Sequence, residues 1–285
     1  MDRFSKFHPL VSFSFFMGVL VFTLIFYNSV FGIASLLCAF LYTLRLKGKN
    51  AVSFLLKFVI PLVLFAAFFN MLFSHYGSTV LFTVKEFYFT FESLAAGFFT
   101  GVMIGAVMIW FSAYNEVITG DKFMALFGGF APNLALLFSM ILRFIPLMVK
   151  TANEIKDAHK GLGYETKGIK NALARFSALI SISLEKSIET ADTMKARGFG
   201  KKKRSFYSAF EFRAPDLSAI IFITALLIYL FIACGIGSMQ ITFDPVIEMK
   251  NVSFLPLAAF IICALFPLAA DITEDIKWHL LKSKI

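Results

Sequence analysis

Charge is what this 285-residue chain has least of. Asp, Glu, Lys and Arg make up 16% of it, where soluble domains carry about 25%. Together with 59% apolar residues and 38 Phe, that shortfall excludes an ordinary soluble domain. Cysteine is scarce as well. Cys38, Cys234 and Cys263 all lie in apolar stretches without partners at metal-ligand spacing. Neither a disulfide framework nor a zinc site follows, and the three read as small apolar fillers. The four histidines (His8, His75, His159, His279) are far apart. Catalytic signatures are missing: there is no H-E-x-x-H, no G-x-S-x-G and no P-loop. The nearest approach to a P-loop, Gly163-x4-Gly168 followed by Ile169 and Lys170, places its lysine one position late with no Ser or Thr behind it. No ionisable residue sits at the centre of an apolar run, which speaks against a proton-coupled carrier. No metal or cofactor is expected on this chain.

What is present is membrane-spanning sequence. Apolar runs at about 9–27, 30–46, 54–73, 93–112, 217–236 and 254–270 each have the length to cross about 30 Å of hydrocarbon at about 1.5 Å per residue. The first run follows Arg3 and Lys6 like a signal peptide. It is too long for one and lacks a small-x-small cleavage site, so it reads as a retained span. With the N-terminus cytoplasmic, all of the 27 Lys and Arg except Lys85 and Lys250 fall inside, and the positive-inside rule sets the orientation. The net charge of +9 is thereby assigned to cytoplasmic loops and lipid headgroups, not to nucleic acid. The expected fold is all-α and polytopic, with about six transmembrane helices and long amphipathic cytoplasmic helices. The expected domains are 1–112, 113–216 and 217–285, with both termini and the middle domain cytoplasmic. The outer loop near 74–92 carries Phe82, Phe87, Tyr88, Phe89 and Phe91 and reads as an interfacial anchor. Glu92 is expected to face water at the end of its span.

Two helical patterns fill the middle domain. One starts after Pro132 with Leu134, Leu136, Leu137 and Phe138, meets a kink signal at Pro146, turns polar, and stops at Gly161-Leu162-Gly163. The other runs from Ile169 to Arg197, with Ile169, Leu173, Phe176, Ile180, Leu184, Ile188, Ala191 and Met194 on one face and Gly198 as its stop. Both are too polar to span comfortably and too apolar to be free in water, so a bundle along the cytoplasmic membrane surface is expected.

These residues, in order, carry a resemblance. His8-Pro9, Asn70 with Leu72-Phe73-Ser74-His75-Tyr76-Gly77, Thr90 and Glu92, Ile118-Thr119-Gly120-Asp121-Lys122, Arg143-Phe144-Ile145-Pro146, and above all Ala191, Met194 and Ala196-Arg197-Gly198 make the chain similar to the transmembrane T component of energy-coupling factor (ECF) transporters, the EcfT/CbiQ-like family. The resemblance implies a non-catalytic coupling subunit of an ATP-driven micronutrient importer for a vitamin or metal ion. It implies two ABC-type ATPases, which bind ATP and Mg, and a small membrane S component that captures substrate. It also implies two ATPase-docking helix ends. Ala196, Arg197 and Gly198 match one of them. Gly161, Leu162 and Gly163 stand at the other, where Leu162 replaces the usual arginine and leaves the site to packing or to Lys160.

The residue chemistry is compatible with docking. An arginine at a helix end presents a planar five-donor fork to a partner carboxylate. The same cation also satisfies the helix's own terminal carbonyls. The run Lys201–Arg204 reads as an anchor at anionic headgroups. The rival reading is a stand-alone permease or membrane-embedded enzyme, which needs polar groups converging within the bilayer.

Overall fold

A computed structural model describes residues 4–26, 28–74, 79–84, 87–128, 131–163, 168–200, 210, 212–237, 241–242, 248–249 and 254–282. The basic run 201–204 lies outside the described residues, as do His75, Tyr76 and Gly77. The protein is built from α1 (Pro9–Ile25), α2 (Ser29–Lys47), α3 (Lys49–Phe54), α4 (Ile60–Phe73), β1 (Val80–Val84), β2 (Phe87–Thr90), α5 (Phe91–Val117), α6 (Gly120–Gly128), α7 (Pro132–Gly161), α8 (Ile169–Ala196), α9 (Ala214–Gly237), β3 (Ile241–Thr242), β4 (Glu248–Met249) and α10 (Phe254–Lys282). A single π-helical turn, Leu55–Val59, joins α3 to α4. The described residues divide into two compact units, residues 1–119 with 210–285, and residues 120–209.

Among the described residues, six helices are long and apolar enough to cross a membrane, so the chain is a multi-pass membrane protein. They are not quite the six expected. The first run forms α1, an apolar helix of 17 residues that is shorter than those six and not one of them. The helix Pro132–Gly161, expected on the membrane surface, has the length and composition of a span. Its first half, from Leu134 to Val149, is almost uninterrupted apolar sequence, and its charge begins at Lys150 apart from Arg143. The helix also continues through Pro146.

In the larger unit, α4 and α5 approach most closely, along Gly97, Gly101 and Gly105. These residues are four apart and therefore share one helix face. A methyl at Gly97 would lie 2.8 Å from the Ala67 Cα, and one at Gly101 would lie 2.8 Å from the Val63 Cα. In lipid, where burial of apolar surface does not drive association, such backbone contact and polar pairing hold helices together. Beside this seam is an aromatic core. Phe15 and Phe16 of α1, Tyr42 of α2 and Trp110 of α5 lie together and are fully buried. The Trp110 indole N–H donates to Ser35 Oγ at 3.0 Å, and Ser35 Oγ lies 3.3 Å from Thr23 Oγ1. The indole thereby gains the partner that a buried donor requires. Phe260 of α10 stacks on Phe22 at 5.1 Å and meets Phe31 edge-on at 5.7 Å.

Two buried aspartates fasten the N-terminal segment. Asp271 Oδ1 accepts from the Phe4 backbone N–H at 3.0 Å. Asp216 Oδ1 accepts from His8 N–H at 3.1 Å while its Oδ2 caps Arg213 N–H at 2.9 Å. Arg45 pairs with Asp275, and Lys47 reaches Glu116 at 3.5 Å. These bonds bring the start of α1, the end of α2, the end of α5, the start of α9 and the C-terminal part of α10 to one side of the unit.

One expectation is corrected at the opposite end of this unit, where the aromatic loop also takes a defined form. The aromatic loop forms an antiparallel hairpin, β1 against β2. Glu92 does not face water. It is 2% exposed, and its carboxylate accepts from the Thr79 N–H at 3.2 and 3.3 Å. It stands in the first turn of α5, where the helix dipole favours a negative charge, and it ties the start of the hairpin to that helix.

Candidate functional site

The two helix ends picked out in the sequence belong to the smaller unit, and their local geometry is nearly the same. At the end of α8, Arg197 occupies the C-cap with φ −79° and ψ 5°, and its N–H bonds to the Thr193 carbonyl at 3.1 Å. Gly198 follows with φ +85° and donates to Lys195 O at 2.9 Å, and Phe199 donates to Met194 O at 3.0 Å. This pair of bonds is the Schellman closure, and it requires the left-handed residue that glycine supplies without strain. At the end of α7, Leu162 occupies the C-cap with φ −82° and ψ 2° and donates to Ala158 O at 3.0 Å. Gly163 follows with φ +78° and donates to Lys160 O at 3.0 Å. Ala196 and Gly161 are the last helical residues of their respective helices.

Both ends are open. Leu162 is 73% exposed, and Gly161, Gly163, Ala196 and Arg197 are exposed. A methyl built on Gly161, Gly163 or Gly198 meets nothing within 4 Å. Among the described residues, none therefore packs against these glycines at the Cβ position. In each cap Arg197 or Leu162 sits on the outer rim, just before the backbone turns.

A further likeness between the ends went unread in the sequence. Glu154, Asp157, Lys160 and Gly163 recur as Glu189, Asp192, Lys195 and Gly198, the pattern E-x2-D-x2-K-x2-G closing both helices. Within this repeat the charge differs at two positions, Leu162 against Arg197 and Lys156 against Ala191. The signal was available as a self-comparison, and it was masked because the residues between the matching positions differ.

α7 and α8 touch where Ser183 Oγ donates to Met148 Sδ at 2.9 Å, close to the midpoint of each helix. Gly161 is 13 residues beyond Met148, and Arg197 is 14 residues beyond Ser183, so each end stands about 20 Å from the junction. The seven residues 162–168 that connect the helices reach at most about 28 Å. That limit keeps the end of α7 and the start of α8 on neighbouring sides of the junction, and it places Leu162 and Arg197 at least about 30 Å apart. Elsewhere in the unit, Phe123 of α6 meets Phe138 of α7 edge-on at 6.3 Å. The apolar stripe of α8 is uncovered: Ile169, Leu173, Phe176, Ile180, Leu184 and Ile188 are 43–81% exposed.

Among the described residues there is no group of three or more His, Cys, Asp or Glu able to hold a metal ion. The three cysteines are free and buried. His8, singled out for its place before Pro9, caps α1. Its Nδ1 accepts from Leu10 N–H at 3.3 Å, and its ring meets Phe212 edge-on at 5.1 Å. Burial lowers its pKa, and the neighbouring Asp216 partly opposes that shift.

Comparison with known proteins bears on most of the chain. A family model described as cobalt transport protein, CbiQ, matches residues 4–208. The energy-coupling factor transporter transmembrane protein EcfT of Lactococcus lactis subsp. cremoris (strain MG1363) is 28% identical over 215 residues, covering 66% of this chain and 80% of that protein. EcfT of Leuconostoc gelidum subsp. gasicomitatum is 27% identical over 196 residues, covering 62% of this chain and 72% of its own length. α9 and α10 lie beyond the matched family region. The extent of that match, carried by a multi-pass helical protein, means that the chain belongs to the CbiQ family and is a transmembrane T component of the ECF transporter class.

Proposed function

We propose that this chain is the non-catalytic coupling subunit of an ATP-driven importer. In this reading its two capped helix ends, Ala196-Arg197-Gly198 and Gly161-Leu162-Gly163, dock on two ABC-type ATPases, which bind ATP and Mg. A small membrane S component carries the substrate, a vitamin or metal ion. In this reading the N-terminus, the polar ends of α7 and α8, and the C-terminus are cytoplasmic, an orientation supported by the distribution of Lys and Arg. The exposed stripe of α8 supplies an apolar surface for the S component and lipid. ATP-driven closure of the ATPases moves the helix ends, and the motion passes through the junction at Met148 and Ser183.

The observation that carries this reading is the pair of matching caps, with Leu162 and Arg197 both exposed, about 20 Å out from one junction. A helix end needs no such exposed arginine to terminate, because the glycine already closes the Schellman bonds. Arg197→Ala is expected to weaken ATPase association by about 2–5 kcal/mol if the guanidinium pairs with a buried carboxylate. The measurement is co-purification of the full chain with its ATPases. Recovery at the wild-type level would remove Arg197 from the docking surface. Substrate uptake by the reconstituted chain without any ATPase would favour a stand-alone permease instead.

A further inference from the structure

We infer that Arg143, within the apolar half of α7, binds the headgroup phosphate of an anionic phospholipid. The site is independent of docking at the helix ends. Between Leu134 and Val149, Arg143 is the single charged residue. The next acid along the helix is Glu154, about 16 Å further on, and it already pairs with Lys150 at 3.8 Å. Arg143 is exposed, and among the described residues no ion pair or hydrogen bond engages its guanidinium. The packed faces of the helix lie elsewhere. α8 meets α7 at Met148, and Thr151 beside it is buried. α6 meets it at Phe138, and a methyl on Gly120 would stand 3.2 Å from Leu142. At about 100° per residue, these four positions are turned about 80–140° from Arg143. Its own face in this half of the helix is made by Leu136, Met140, Pro146 and Leu147, with Ser139 as the one polar neighbour.

A cation bounded by apolar side chains selects its ligand. Hydrocarbon around a guanidinium is costly unless a counter-charge is at hand or the side chain reaches the interface. A soluble anion would supply the charge but leave the surrounding apolar surface in water. An anionic phospholipid fits both parts. Its phosphate takes two parallel N–H bonds from the planar fork, and its acyl chains lie along Leu136, Met140 and Leu147. Lys150 is turned only about 20° from Arg143 and opens the polar half of the helix. One face therefore runs from apolar to charged side chains, as a helix does where it meets headgroups. A carboxylate on a partner protein would also satisfy the guanidinium. Lipid is favoured because the apolar half of α7 already calls for hydrocarbon, and the same molecule then brings the counter-charge.

Site-specific quenching tests this, because the native cysteines, Cys38, Cys234 and Cys263, are all buried. The full chain carries either S139C, one turn from Arg143 on its face, or I145C, turned about 200° from it, and is labelled with bimane. It is placed in phosphatidylcholine vesicles that contain a doxyl-labelled lipid, either phosphatidylglycerol or phosphatidylcholine. At position 139 the phosphatidylglycerol probe should quench about fivefold more effectively, the ratio equivalent to about 1 kcal/mol for one basic residue at a membrane surface. At position 145 the two probes should quench nearly alike. R143Q should abolish the preference at position 139, and R143K, which keeps the charge, should retain it. Equal preference at positions 139 and 145 would overturn the inference, because the net charge of +9 would then be gathering anionic lipid without a site. That comparison needs no change at Arg143, so it stands even if R143Q fails to fold. A preference at position 139 that survives R143Q would overturn the inference as well. So would the absence of any preference at position 139, which would leave the guanidinium to water or to a carboxylate on a partner protein.

Discussion

The α4–α5 seam permits a sharp test of how the membrane unit is held together. A methyl added at Gly101 would stand 2.8 Å from the Val63 Cα, 3.1 Å from the Val63 carbonyl oxygen and 3.2 Å from the Ala66 Cβ. Two of these are backbone atoms and cannot swing aside. Ordinary carbon contact is about 3.5–4.0 Å, so Gly101→Ala must part the helices by about 1 Å, a gap that forfeits a quarter to a half of each dispersion contact along the seam. Overpacking of this kind costs about 1–3 kcal/mol. At about 2–4 °C per kcal/mol for a chain this size, the melting temperature in detergent should fall by about 5 °C. Gly97→Ala, with 2.5 Å to the Asn70 Cβ and 2.8 Å to the Ala67 Cα, should fall at least as far. The control is Gly235→Ala in α9, where a methyl meets nothing within 4 Å and helix propensity favours alanine. Equal melting temperatures for G101A and G235A would refute the claim that backbone contact, and not glycine content, fixes this pair.

Two other perturbations follow from buried polar contacts. Glu92→Ala removes the acceptor of the Thr79 N–H and should cost about 1–3 kcal/mol, read as faster hydrogen exchange over Val80–Thr90 with little change in α8. Burial lowers the pKa of His8, with Asp216 partly opposing the shift, so its stabilising contribution is fully present above the ordinary histidine value of 6.5 and is lost as pH falls through that value towards the lower folded one. Thermal stability should therefore decline as pH falls below 6.5, and His8→Asn should flatten that slope.

How far the sequence could be read depended on the range of the interactions. α8 was legible almost to the residue, because its apolar period and Gly198 are local signals and its surroundings impose little on it. The hairpin was not. Val80–Val84 and Phe87–Thr90 carry the β-branched and aromatic residues favoured in strands, but beside a membrane span the same aromatics read equally well as an interfacial belt. Glu92 was misplaced because its burial depends on Thr79, which lies across the hairpin. Asp216 and Asp271 escaped attention for the same reason: their partners are backbone N–H groups of His8 and Phe4, which no residue pattern advertises. At the candidate docking ends, both triplets were found, but comparison with a family motif made Leu162 look like a loss. Comparing the chain with itself makes it one half of an asymmetric pair.

The mechanical demand of the proposed role leaves its own trace in these helices. Between Met148 and Lys160, and between Ser183 and Ala196, there is neither proline nor glycine. Pro146, the breaker within α7, lies on the far side of the junction from Leu162. Each arm between junction and cap is thus an unbroken rod of about 20 Å, suited to carrying displacement without bending. Ser187→Pro would remove a backbone donor from the α8 arm and set its ring against the carbonyl four residues before it, at a cost of about 3 kcal/mol or more. The cap at Arg197 lies ten residues further on and should still form. In proteoliposomes with the complete transporter, S187P should retain ATPase binding while substrate delivered per ATP falls about tenfold, the equivalent of about 1.4 kcal/mol of lost coupling. Ser187→Ala is the control. It removes the hydroxyl bond to Ser183 O at 2.7 Å but leaves the helix ladder intact, and it should transport normally. Full coupling in S187P would mean that α8 does not transmit force as a rigid arm, and that transmission runs through α7 alone.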